Sequence, residues 1–420
     1  MSAPTLKNDC FALPPGVAWT PVDEALARLR ARLHPIVATE QVPLDSALGR
    51  ILAEPVAAKR AHPPAANTAV DGYGFTHGSL PASGVAQLRL LAGRSAAGAP
   101  FDGEVAPGEA VRVLTGALLP AGVDTVVLQE DVEVQNGQIA FEARLKKGAN
   151  ARAGGEDFCA GDVLVPAHTP LAPSHIGLLA ASGAGEVTVH QRLRVGVLST
   201  GDELAQPGEA AAPGQVYDAN RPMLKAMVAR WGMEVVDLGA CRDDRDALRA
   251  TLDEASTRVD AVITSGGASA GEEDHLSALM EAEGQVSTWR IAVKPGRPLM
   301  LGTWGRGVPV FGLPGNPVAS FVCALIFARP ALSLLMGAGW PEPQAVQVPA
   351  AFEKSKKAGR REYLRARMTQ EGAVEVFASE GSGRVSGLAW ADGLVELPDE
   401  AMTVTQGQMV RYLPYSAFGL

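Results

Sequence analysis

Cysteine is scarce in this chain of 420 residues: Cys10, Cys159, Cys241 and Cys323 stand far apart, with no CxxC and no histidine at ligand spacing. That excludes a disulfide framework and the common zinc sites. Aromatic residues make up only 5%, too few for the stacking platforms that hold single strands or glycans. Positive charge is not in excess either. Lys+Arg is 37 against Asp+Glu 46, a net charge of −9, so nothing draws the whole chain to nucleic acid or an anionic membrane. An anionic ligand must be held by local cations and backbone N–H groups. No apolar run reaches the ~18 residues of a membrane span, and the first residues, MSAPTLKNDCFALPPG, have neither a basic n-region nor an apolar h-region. The expectation is a soluble cytoplasmic protein with no nucleic-acid or membrane partner. There is no GxxxxGK[ST], no GxGxxG at the expected strand and no HExxH.

What is present is material for several packed cores. Hydrophobic residues are 47% and charged residues 20%, and the length suits about two to four domains. Gly 46 and Pro 30 sit in short clusters between apolar runs, which predicts many structured loops. TPVDEALARLRARL (20–33) reads as an amphipathic helix capped by Thr20 with Pro21 in its first turn. A second short helix is expected over 44–53. Residues 64–150 read as β-rich, with VEVQ and QIAF joined through Asn136-Gly137, a two-residue type I′ turn. PSHIGLLAAS is a helix among short strands. From 191 to 337 strands alternate with helices of about ten residues, the pattern of a doubly wound, mostly parallel sheet; Pro330 should end or kink its last helix. Residues 338–420 return to short strands.

The fold class expected is therefore multidomain α/β. Residues 1–63 and 151–190 would form a discontinuous N-terminal α/β domain and 64–150 a β-rich insertion. Residues 191–337 would form the doubly wound domain and 338–420 a small β-barrel-like domain.

In doubly wound sheets, ligands bind where strands run out into loops. Three such loops are chemically loaded. Ser199-Thr200-Gly201-Asp202-Glu203 offers paired acids for a metal or a base, or is a solvated turn. Ser265-Gly266-Gly267, Ser269 and Gly271 bring backbone N–H groups and hydroxyls towards one space, a phosphate cradle, with Asp274 following. A carboxylate beside phosphate makes sense with a bridging Mg²⁺; otherwise Asp274 simply caps the next helix. Pro314-Gly315-Asn316-Pro317 is a rigid turn in which Asn316 can cap a helix. Lys294-Pro-Gly-Arg297 frames a tight turn with two cations suited to an oxyanion, or is an exposed basic turn. Outside this region, Asp71 follows a run of small residues, Thr115 precedes a glycine, and Asp157 ends Arg152-Ala-Gly-Gly-Glu-Asp. Arg361, Tyr363, Arg365 and Arg367 alternate onto one strand face, as an anion site or a solvated face.

NTAVDGYGF, RAGGED, STGDEL, YDANRPML, TSGGASAGEEDH, IAVKPGRPLMLG and FGLPGNPVAS occur in one order. That order resembles the molybdopterin molybdenumtransferase family, MoeA and the gephyrin E-domain, from about residue 20 to 415. The resemblance implies insertion of molybdenum from molybdate into adenylylated molybdopterin, with Mg²⁺-dependent release of AMP. It implies a homodimer of four-domain chains with its cleft between subunits, serving apo-molybdoenzymes and working beside the adenylyltransferase. By the same resemblance Asp274, Glu203 and Asp71 are the carboxylates nearest metal and pyrophosphate. Asp71, Thr115 and Asp157 come from the partner subunit, and Lys294, Arg297 and Ser320 meet molybdate. Arg361, with Ser382 or Ser386, adds a further anion contact. The family's usual NSAMDGYA, GGVSVG and KPGKP are here NTAVDGYGF, GGASAG and KPGRP. The competing readings are a molybdopterin adenylyltransferase, which the doubly wound region alone resembles, and a non-catalytic molybdopterin carrier or scaffold.

Overall fold

The computed structural model describes residues 19–266, 275–296 and 298–420. The chain divides into two compact units. One holds the residues up to Glu40, Gly49–Ile51 and His190–Leu420; the other holds Gln41–Leu48 and Leu52–Val189.

The first unit is built on the strand Arg194–Thr200, of which all but the first residue are buried. Burial on both faces is what an apolar run without alternation demands. Glu234–Cys241 and Ala261–Ser265 flank it in parallel, and Val308–Leu313 pairs in parallel with the latter. The antiparallel strands Pro298–Trp304 and Gln285–Arg290 extend that side. The helices Asn220–Arg230, Arg245–Arg258 and His275–Glu283 alternate with the strands as the sequence predicts. Asp244 caps the second, accepting from the Ala247 N–H at 2.7 Å.

Pro330 neither ends nor breaks the last helix. Pro317–Cys323 passes through a wider π-turn, Ala324–Ala328, into Arg329–Leu335 with Pro330 in its opening turn. The wider turn absorbs the N–H that proline lacks. This stretch is long and apolar enough to cross a membrane, yet 83% of its apolar window is buried in the core.

The helix Val22–Arg32 turns Val22, Ala25 and Leu29 into the same core as Val195, Phe327 and Leu335. Thr20 does not cap it. Its carbonyl accepts from the Ala292 N–H at 2.8 Å, which holds the chain extended up to Pro21.

C-terminal strands share this core through Tyr363, Leu394 and Leu413. Their sheet runs Val293–Lys294, Arg361–Met368, Gly393–Leu397, Met409–Pro414, Val346–Pro349. Lys294 thus enters the sheet of the C-terminal region, opposite Glu362.

In the second unit six strands order as Thr125–Leu128, Gly72–Phe75, Glu109–Val113, Val85–Ser95, Gln138–Glu142, Glu133–Gln135. Asn136 and Gly137 have φ of 52° and 74°, the left-handed pair that a type I′ turn requires. Val56–Ala57 pairs with Val163–Val165, and the helix Pro173–Ala181 packs above a core of Leu44, Leu52, Leu171 and Leu179. The helix expected over 44–53 is only a 3₁₀ turn, Leu44–Ser46. Gly49 at φ +73° stops it, and Leu52 pairs with Val189 as a bridge.

Asp237 ties the edge strand to the helix Asn220–Arg230. It accepts from Arg221 at 2.6 and 2.8 Å, from the Gly239 N–H at 2.9 Å and from Lys225. Partial burial pushes its carboxyl up, but these donors outweigh it and bring the pKa to about 2 from 3.8. A depressed carboxyl stabilises the fold above its unfolded pKa and loses that contribution as pH falls through the folded one. Asp237→Asn should therefore cost about 1 kcal/mol at neutral pH, after discounting for solvent screening. In urea titrations the difference from wild type should shrink below pH 3.8 and vanish near pH 2.

Candidate functional site

Adjacent parallel strands place three of the predicted loops side by side. Ser199 pairs in register with Ser265, and Ser265 with Leu313. The chain then leaves the sheet at Thr200-Gly201, Gly266 and Pro314-Gly315. The Gly266 N–H donates to the Leu313 carbonyl at 3.2 Å. Its φ is +94°, and a Cβ there would lie 2.5 Å from the Thr200 carbonyl oxygen and 2.8 Å from Thr200 Oγ1. Only glycine fits so close an approach.

Asn220, which opens the helix Asn220–Arg230, was not singled out by its sequence context. Its Nδ2 donates to Ser265 Oγ and to the Gly315 carbonyl, each at 2.6 Å. One amide therefore clips two loops together. Ser199 Oγ, Thr200 Oγ1, Thr264 Oγ1, Asn220 Oδ1 and Ser320 Oγ, on these strands and on the helices that open at Asn220 and Pro317, are buried with no hydrogen-bond partner among the described residues. Buried polar atoms are nearly always satisfied, so these oxygens keep hydrogen-bonding capacity that the described residues do not use. Asn316 makes no side-chain cap bond, while Pro317 takes the helix's first turn as expected. Gly267, Ser269, Gly271, Asp274 and Arg297 lie outside the described residues.

Acids stand on the neighbouring loops. The Glu203 carboxylate folds back over Gly201, where a Cβ would come within 2.4 Å of Oε2. Asp202 Oδ1 accepts from the Asp243 N–H at 3.3 Å. Burial, then the charges of Asp202 and Glu203, push the Asp243 carboxyl above its ordinary value. Asp243 escaped sequence reading; its one signal was a place just after a strand, in Cys-Arg-Asp-Asp. The donors are all oxygens, which suits a hard cation. No three ligating side chains among the described residues form a ready cage.

Lys294 is not an exposed basic turn. Its Nζ donates to Glu380 Oε2 at 2.6 Å and reaches Glu362 Oε1 at 3.4 Å. Lys354 lies 3.2 Å from Glu362 Oε2 and also bonds Glu380. Lys294, Lys354 and Glu380, with Arg365, Phe377 and Ser379, line a cavity of about 180 Å³.

The strand face of arginines does not form one anion site. Arg361 binds Asp23 at 2.6 and 2.8 Å and Asp399 at 3.1 Å. Arg367 binds Glu375 at 2.6 Å and lies over Trp390. Arg365 alone of the three has no carboxylate partner among the described residues. It donates to the carbonyls of Arg384 at 2.7 Å, Gly381 at 3.2 Å and Ser379, with Phe377 beneath it. Alternation identified the face, but not which cation reaches a cavity.

In the second unit, Asp71 and Thr115 come together. Asp71 Oδ1 accepts from the Thr115 N–H and from Thr115 Oγ1, both at 2.7 Å. Those two bonds hold the Asp71 carboxyl below its ordinary value, so it stays ionised at any working pH. Gly72 is required next to it, because a Cβ would fall 1.9 Å from the Val127 carbonyl oxygen. Asn67–Thr68 pairs with Ala151–Arg152, and Thr68 also bonds Gly116 and Ala117. The Asp71, Thr115 and Arg152 segments are thus knitted into one loop cluster. Asp157 is exposed, its N–H donating to the His62 carbonyl at 3.0 Å.

Comparison with known proteins agrees along the chain. A family model described as the MoeA N-terminal region (domain I and II) matches residues 20–183. One described as a probable molybdopterin binding domain matches 196–334, and the MoeA C-terminal region (domain IV) matches 347–415. A molybdopterin molybdenumtransferase of Haemophilus influenzae is 35% identical over 402 residues, 94% of this chain and 98% of that protein. One from Nostoc sp. is 34% identical over 387 residues, 89% of this chain and 88% of that protein. The crystal structure of a molybdopterin biosynthesis moeA protein from Pyrococcus horikoshii OT3 superposes with a TM-score of 0.83 at 28% identity. That match covers 95% of this chain and all (100%) of the other.

Proposed function

The chain belongs to the MoeA family of molybdopterin molybdenumtransferases, enzymes of molybdenum cofactor biosynthesis, and on that premise we propose how its residues serve the reaction. Adenylylated molybdopterin and molybdate become molybdenum cofactor and AMP. The observation that carries this reading is the meeting of three loops at the strand ends, where Asn220 ties Ser265 to Gly315 and Gly266 lies against Thr200.

These loops bind the anionic end of the pterin substrate, with their backbone N–H groups and the Thr200 hydroxyl as donors. Asn220 keeps the Ser265 and Gly315 loops at one spacing, so the donors need not reorganise. Mg²⁺, when bound, would offset charge on the phosphoryl oxygens, and Glu203 and Asp243 are the described carboxylates that would hold it. Lys294 and Arg365 attract molybdate, a dianion, into the cavity they line. Asp71, positioned by Thr115, and Asp157 serve substrate bound on a partner subunit of a cytoplasmic homodimer.

The direct test incubates the protein with adenylylated molybdopterin, Mg²⁺ and molybdate, and follows AMP alongside reconstitution of an apo-molybdoenzyme. Molybdate-dependent AMP release with reconstitution is the expected result; tight pterin binding without AMP would identify a carrier. The homodimer has its own test. If Asp71 acts across subunits, mixing inactive Asp71→Ala and Glu203→Ala proteins restores about a quarter of wild-type activity by random pairing. Two proteins that stay inactive after verified subunit exchange would place Asp71 and Glu203 in the same subunit's site.

A further inference from the structure

Glu380 is the least buried member of the charged cluster around the 180 Å³ cavity. Its side chain is 49% exposed, against 30% for Lys294, 11% for Lys354 and 9% for Glu362. The two most buried groups, Lys354 and Glu362, pair with each other at 3.2 Å. Glu380, the most exposed of the four, lines the cavity and takes bonds from both lysines with its two carboxylate oxygens. A bidentate carboxylate on two ammonium groups has the charge sign and the oxygen spacing of a bound oxyanion.

We propose that Glu380 is an internal occupant of the oxyanion seat: it fills the Lys294–Lys354 pair in the free protein and is displaced by molybdate, so that it sets the affinity and selectivity for the incoming anion. This rests on the reading of Lys294 as a molybdate ligand.

Displacement requires only the side chain to move. The backbone on either side of Glu380 is anchored, since Arg365 holds the Ser379, Gly381 and Arg384 carbonyls. The carboxyl of Glu380 feels burial, which pushes it up, but its bonds to Lys294 and Lys354 prevail and lower it. The occupant is therefore charged whenever the anion is. Lys294, Lys354 and Arg365 face Glu380, Glu353 at the rim and Glu362 behind the lysines. With Glu380 in place the cations and carboxylates balance; with it swung out, one positive charge is left over for a dianion. A monovalent anion gains less from the exchange than a divalent one, which is how such an occupant discriminates.

A purely structural salt bridge predicts weaker binding, or none, on removal of Glu380. An occupant predicts tighter binding. Equilibrium dialysis of the full-length protein against molybdate, with Glu380→Gln, should show affinity about tenfold higher, the ~1.4 kcal/mol scale of two partly exposed ion pairs. KM for molybdate should fall with it, while kcat changes little. Glu353→Gln, which removes the same charge from the rim without a lysine bond, should change affinity less than twofold. Glu380→Asp, too short to span both lysines, should fall between, and it keeps a negative charge if the Gln variant folds poorly. Unchanged or weaker binding in Glu380→Gln, with Lys294→Ala losing it, overturns the proposal and leaves the molybdate site standing. An equal gain in Glu353→Gln also overturns it, pointing to a diffuse field. If Lys294→Ala binds molybdate as wild type does, the site reading fails and the occupant with it.

Discussion

Asp71→Ala is expected to lower molybdate-dependent AMP release by about 10²–10³-fold, the loss seen when one fixed polar group is taken from a charged reaction site. The fold should survive. Asp71 sits in a loop before the strand Gly72–Phe75, and the strand is held by its own ladder to Glu109–Val113 and Thr125–Leu128. Two variants separate what the side chain does. Asp71→Asn keeps an oxygen for the Thr115 N–H and hydroxyl, so the loop stays in place, but it removes the charge. Thr115→Val keeps the charge and the backbone donor and loses only the 2.7 Å hydroxyl bond. If the carboxylate charge acts on substrate or metal, Asp71→Asn should be nearly as inactive as Asp71→Ala, and Thr115→Val should retain most activity. If Asp71 only shapes the loop, the order reverses. The pH profile adds a sign. Because both Thr115 bonds depress the Asp71 carboxyl, wild type should not lose this group's contribution until pH falls below the ordinary carboxylate range. Thr115→Val should lose it at a higher pH.

Much of this arrangement was legible in the sequence because it depends on period and on glycine. Strands buried on both faces read as unbroken apolar runs, so the doubly wound sheet could be placed, and with it the loop ends at Thr200, Gly266 and Gly315. Asn136-Gly137 announced its own hairpin. Local signals failed where a distant partner competes. Thr20 has the chemistry of a cap, yet its carbonyl is used by Ala292, far along the chain in sequence. Pro330 has the chemistry of a helix breaker, but a helix buried on almost every side finds a wider turn cheaper than exposing its core.

Side-chain pairings were not legible at all. Arg361 and Arg365 share a strand face and differ in every partner: Asp23 and Asp399 come to one, while carbonyls of a loop come to the other. Asn220 and Asp243 stand at strand and helix ends like dozens of other polar residues. Only the packed loops reveal that one clips two loops and the other sits beside two acids. Lys294 illustrates both halves. Its Pro-Gly turn marked it as a cation suited to an oxyanion, but Glu362, Glu380 and Lys354 lie 60 residues or more further along and carry no motif of their own.

Gly266→Ala carries the largest structural consequence in the candidate site. Alanine at φ +94° is strained whatever surrounds it, by roughly 1–3 kcal/mol. Its Cβ would also meet a backbone oxygen, that of Thr200, at 2.5 Å. Backbone cannot rotate aside like a long side chain, so the strand ends Thr200 and Ser265 must separate. That strains the Asn220 bond to Ser265 and shifts the loop ends proposed to meet the ligand. A displacement on the order of 1 Å in a positioned site costs about 10²-fold in rate. We therefore expect pterin affinity and AMP release to fall together by about that factor, with global stability reduced by about 2–4 kcal/mol. Trimming the side chain it touches should not help. Thr200→Ala removes the Oγ1 at 2.8 Å but leaves the carbonyl at 2.5 Å, so Gly266→Ala/Thr200→Ala should remain defective. Gly315→Ala is the matched control on the facing loop. Its Cβ would find its nearest neighbour, the Gly266 Cα, at 3.7 Å, an ordinary contact. It should bind pterin within a few-fold of wild type. Equal defects in the two single variants would mean that the loops tolerate no added volume anywhere, and that the tight approach of Gly266 to Thr200 has no special part in holding the site.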